Sequence, residues 1–79
     1  MRKPDELAFF AAARAAAARS ATGTCPGRVA LQRAAEGLGM HPNRANDLLR
    51  KWDQKGWWNY GVTLWAGWFE PEAPQVLEP

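Results

Sequence analysis

The nine residues from Asn43 to Lys51 bring together side chains with a common chemistry. Asn43 and Asn46 carry amides that can pair bidentately with adenine, and Arg44 carries a guanidinium that matches guanine. Arg50 and Lys51, one turn later, are cations suited to phosphates. Asp47 interrupts the run, since phosphates repel a carboxylate unless it accepts from cytosine or orients Arg44 or Arg50. A solvated helical face can have the same composition, so these residues permit nucleic-acid contact without requiring it.

Catalysis is poorly served by comparison. His41 is the only imidazole, Ser20 the only serine, and no pair of acids sits where acid and base roles could be tuned apart. Cys25 has no partner for an internal disulfide, and one Cys with one His cannot complete a structural zinc site. The expectation is a protein that is not an enzyme and carries neither cofactor nor metal.

Charge narrows the partner class. The chain has 79 residues, the length of one domain, and a net charge of +2 that is unevenly spread. Residues 1–69 hold all ten basic groups against five acids, a net +5, while residues 70–79 hold three glutamates and no base, a net −3. A basic body of this kind favours polyanions or acidic partners. The basic, alanine-rich start resembles a leader peptide only superficially, because Arg14 and Arg19 interrupt its apolar stretch. No run nears the roughly 18 uncharged apolar residues of a membrane span, so no membrane association is expected. The lone Cys25 agrees with a cytoplasmic location.

Several elements must position these groups. Pro4-Asp5-Glu6 opens a first helix over about 5–20, in which Phe9, Phe10, Ala13, Ala17 and Ser20 share one side and Arg14 and Arg19 fall away from it. Residues 22–27 form a loop, and Arg28-Val29-Ala30 suits a brief extended segment before a second helix at about 30–38, closed by Gly39. A third helix starts at Pro42, runs over about 42–55 and stops at Gly56, with Ala45, Leu48, Leu49 and Trp52 facing inward. His41 is placed to cap it. Aromatic-rich segments over about 57–69 then read as a hairpin, followed by an acidic, proline-rich extended tail over 70–79.

A domain this small buries only roughly 60% of the surface that its unfolded chain exposes. Without staples, its core must come from large side chains, and all five tryptophans lie between positions 52 and 68. Trp52 is expected in the core. Trp57 and Trp58 should point to opposite faces of the hairpin, leaving Trp58 or Trp65 as the exposed ring.

Two helices meeting at Leu38-Gly39-Met40, a third amphipathic helix ending in Gly56 and then a hairpin resemble the winged helix-turn-helix family of small phage and bacterial DNA-binding proteins. The resemblance covers residues 28–69 and is strongest from Leu38 to Trp58. It implies an α+β, mostly α fold of three helices with a C-terminal β-hairpin wing. It also implies double-stranded DNA as partner, with the third helix in the major groove and the Asn43 end reading bases. The DNA-contacting residues are then Asn43, Arg44, Asn46, Asp47, Arg50 and Lys51. A transcriptional regulator and a recombination accessory factor both fit. A homodimer, through the first helix or the wing, would supply paired half-sites.

The wing departs from the family, because no lysine or arginine follows Lys55. The uncharged tip with Val62, Leu64 and Trp65 keeps a second reading open, in which Leu64 and Trp65 contact a protein partner. The chain would then be an interaction module such as a small phage-type inhibitor or assembly factor.

Overall fold

The computed structural model describes residues 3–19, 28–61 and 63–78. Three helices are followed by a two-stranded antiparallel hairpin: α1 Pro4–Arg19, α2 Arg28–Gly37, α3 Pro42–Gln54, β1 Trp58–Tyr60 and β2 Gly67–Phe69. The fold is therefore α+β and mostly α, as the sequence indicates. Ser20, Cys25 and Val62 lie outside the described residues.

Alanine propensity and first-turn acids account for α1, and its inward side carries Phe9, Phe10, Ala13, Ala16 and Ala17. The expected extended segment at Arg28-Val29-Ala30 is instead the first turn of α2. These residues have no strand to pair with among the described ones, and helix formation pairs their backbone carbonyls.

Both α2 and α3 end on a glycine in the left-handed region, Gly39 at φ 68° and Gly56 at φ 79°. After α2, the Met40 N–H donates to Ala35 O at 2.9 Å and the Gly39 N–H to Glu36 O at 3.0 Å. After α3, the Trp57 N–H donates to Trp52 O at 2.9 Å and the Gly56 N–H to Asp53 O at 3.0 Å. The pattern is the Schellman motif in each case, and it turns the chain sharply where a side chain at positive φ would be strained.

Ala45, Leu48, Leu49 and Trp52 of α3 are all buried, as their spacing indicates. Trp52 is the centre of an aromatic cluster. Phe9 stacks on it at 5.6 Å between ring centroids, Phe10 meets it edge-on at 5.2 Å, and Phe69 lies 6.1 Å away. The expectation that Trp58 or Trp65 is the exposed ring is corrected: Trp65 is half-buried, and the Trp58 ring is buried, packs edge-on against Phe69 at 5.0 Å, and donates from Nε1 to Leu64 O at 2.8 Å. That acceptor comes from the chain between the strands, which folds back beneath the indole. Trp57, just before β1, is half-buried, with its ring edge-on to Phe10 at 6.4 Å and under the Lys55 ammonium.

The strands pair Trp58 with Phe69, Asn59 with Trp68 and Tyr60 with Gly67. A side chain at Gly67 would collide with Asn59 O and come within 2.8 Å of the Trp58 ring, so the close approach of the strands requires glycine there.

Two charged groups of α1 are drawn into the packing. Glu6, an acid of the first turn, is 2% exposed and accepts from Trp52 Nε1 and Lys51 Nζ, each at 3.1 Å. Arg14 does not fall away from the packed side of α1. Its guanidinium lies 4.4 Å from the Phe69 ring centroid and donates to the carbonyls of Ala73 at 3.1 Å and Pro74 at 2.7 Å. Burial lowers its pKa from the ordinary arginine value.

The segment after Phe69 forms no further helix or strand among its described residues, yet it is docked. Ala73 and Leu77 are buried, and the Glu70 N–H donates to Trp57 O at 2.8 Å.

Removal of the Glu6 carboxylate leaves a buried indole N–H without its acceptor. Glu6→Ala should lower unfolding free energy by about 2–4 kcal/mol, and Glu6→Gln, which keeps an acceptor, by clearly less. Urea unfolding with an unchanged m-value checks the order, and equal losses would contradict it.

Candidate nucleic-acid interface

The geometry of α3 divides the six expected contact residues into three groups. At about 100° per residue, Arg44 and Lys51 lie nearly on one line, and that line faces the first turn of α1. Arg44 grips Asp5 with both arms of its fork, Nε to Oδ2 at 2.8 Å and Nη2 to Oδ1 at 3.1 Å. Lys51 reaches the buried Glu6. Both cations therefore hold α3 on α1.

The hydrogen bonds from Arg44 lower the Asp5 pKa below its ordinary 3.8, and the same contact raises that of Arg44. The pair is only partly covered, with the two side chains 33% and 41% exposed, so it positions more than it stabilises.

A second group forms the solvent-facing stripe. Asn43, Asp47 and Arg50 are exposed, and Gln54 continues the row one turn on. His41 fixes the beginning of this stripe. Its backbone is extended at φ −65° and ψ 140°, and its Nδ1 accepts from the Asn43 N–H at 3.1 Å. That is the N-cap role expected of it, and Pro42 follows as the first helical residue.

The third group faces the hairpin. Asn46, with Arg50 and Gln54 on its open side, borders a groove of about 490 Å³ whose far bank is Tyr60, Thr63 and Leu64. Asp53 lies in the same groove, and among the described residues neither it nor Arg50 makes an ion pair. Gln54, Asp53 and Tyr60 were not anticipated. Gln54 could have been read from the Asn43, Asp47, Arg50 periodicity. Tyr60 could not, because its exposure follows from the register that sets it opposite Gly67, which has no side chain to cover it.

Leu64 and Trp65 are half-buried and pack against the core. Trp65 lines a cavity of about 360 Å³ at the elbow between α2 and α3, together with Ala35, Met40 and Pro42. The hairpin tip thus gives much of its apolar surface to its own domain. No three His, Cys, Asp or Glu side chains converge as metal ligands among the described residues, and no helix there is long and apolar enough to cross a membrane. Comparison with protein-family models, with curated proteins and with solved structures finds no match to this chain.

The Asp5 to Arg44 contact gives stability a defined pH dependence. A carboxylate with a lowered folded-state pKa stabilises above its ordinary value and loses that effect as pH falls through the lowered one. The stability gap between the parent chain and Asp5→Asn should therefore be constant above about pH 5 and close below the ordinary 3.8. Urea midpoints across that range test it; a gap that persists in strong acid would assign the effect elsewhere.

Proposed function

We propose that this chain is a double-stranded DNA-binding protein that lays α3 in the major groove, as a transcriptional regulator or recombination accessory factor acting in the cytoplasm. The observation that carries the reading is the arrangement around α3. Its inward side is buried and one flank is tied to α1, leaving Asn43, Arg50 and Gln54 turned to solvent with Asn46 beside them. A helix roughly 10–12 Å across fits a groove about 12 Å wide, and amides with one guanidinium are the groups that read purine edges there.

Within this reading Arg50 is the base- or phosphate-contacting cation of α3, while Arg44 and Lys51 set the angle at which the helix is presented. The uncharged hairpin adds shape and no phosphate neutralisation. A homodimer would place two such helices about 34–36 Å apart on paired half-sites. The protein-interaction reading is less well supported, since Leu64 and Trp65 are partly occupied by the core.

Duplex affinity measured by fluorescence anisotropy across roughly 50–200 mM salt tests the proposal. Log affinity should fall linearly with log salt, and Arg50→Ala should weaken binding by about tenfold or more. Arg44→Ala should lower the unfolding midpoint more than it alters the salt slope. Absence of duplex binding at low salt, or an Arg50→Ala affinity equal to the parent's, would reject it.

A further inference from the structure

The groove between α3 and the hairpin holds an unusual set of groups for a surface that only meets duplex DNA. Its volume of about 490 Å³ falls within the roughly 300–1,000 Å³ of small-ligand clefts. One bank carries Arg50 and Asp53, one helical turn apart, so their Cβ atoms are about 5–6 Å from each other. Opposite charges at that spacing commonly pair. Here they do not pair with each other, and neither has another ion-pair partner among the described residues. The other bank carries Tyr60, an exposed ring opposite a glycine.

Each feature limits the occupant. Asp53 repels a phosphate that would approach Arg50 closely, and two unpaired charges disfavour an apolar guest. A flat heterocycle with acceptors and donors side by side along its edge satisfies both charges at once, while its face lies on the Tyr60 ring.

Guanine is the base with that edge. Its O6 and N7 accept from a guanidinium fork, and its N1–H and N2–H donate to a carboxylate. Adenine can offer the same pair of groups only one acceptor and one donor on neighbouring atoms. In a matched duplex the N1–H and one N2–H of guanine face cytosine, so both sets are open together only when the base is unpaired. Stacking on an aromatic side chain then replaces the stacking lost from the helix.

We propose that the groove receives a single unpaired guanine from the DNA on which α3 is seated, with Arg50 and Asp53 reading its edge and Tyr60 its face. The inference rests on the DNA reading above and specifies its target: duplex carrying an unpaired guanine at a bulge, junction or frayed end.

Anisotropy titrations should compare a matched duplex with the same duplex carrying one unpaired G or one unpaired A, with dGMP as competitor. The unpaired-G duplex should bind at least tenfold tighter than the other two, and Asp53→Asn and Tyr60→Leu should each bring that ratio towards one. Both positions are exposed, and unchanged urea midpoints would show that the fold is intact.

Matched duplex bound with no preference for unpaired G, or a preference that survives both variants, overturns this inference and leaves the duplex reading standing. No binding to any duplex at low salt overturns both. Competition by dGMP as effective as that by unpaired-G DNA would make the groove a free-nucleotide site, and would also overturn the proposal.

Discussion

The carboxylate of Glu6 is the point on which the arrangement of this small domain depends. It is enclosed where α1 crosses α3, and it accepts from the indole of Trp52 and the ammonium of Lys51. An alanine-rich helix offers little apolar area, so close packing on α2, two phenylalanines and a few polar contacts fix its position. Asp5 and Glu6, adjacent in sequence, take up Arg44 and Lys51, seven residues apart on α3. Together they set both the position and the rotation of α3. A buried carboxylate is costly unless fully partnered, which makes this alignment specific as well as stable.

That alignment decides what α3 can show to a ligand. The basic character of the body is real in total but is partly consumed inside the molecule, because Arg44 and Lys51 face α1 and Arg14 holds the segment after the hairpin. The face left open carries a slight negative balance: Asp47 and Asp53 outnumber Arg50 by one, and asparagine and glutamine supply the remaining polar groups. Recognition by such a face relies on directed hydrogen bonds more than on attraction between net charges.

Much of the fold was legible in the sequence because its signals are local. Pro42, the apolar spacing from Ala45 to Trp52, the two helix-ending glycines and the His41 cap each act within a turn or two. The roles of Arg44, Lys51 and Arg14 were not legible. Periodicity identifies which side of a helix is apolar, but it does not say which flank a distant helix will touch. The partners are 39, 45 and 60 residues away along the chain. Trp58 was misassigned for a related reason. The acceptor that permits its burial is a carbonyl of the connecting chain, and composition carries no sign of that. The same holds for the groove: Arg50 and Asn46 were foreseen as polar surface, whereas their proximity to Tyr60 depends on how the hairpin lies along α3.

The long span of these contacts also bears on how the protein is made. Phe9 meets the Trp52 ring, Phe10 meets those of Trp52, Trp57 and Phe69, and Arg14 donates to Ala73 and Pro74, all from much later in the chain. During synthesis at roughly 5–20 residues per second, α1 gains α2 first and waits several seconds for the aromatic residues that complete its cover. A lone helix of this length is marginal in water. Its two aromatic rings lack their aromatic partners throughout that interval, so the nascent chain offers apolar surface to chaperones well before the finished protein presents a surface to any ligand.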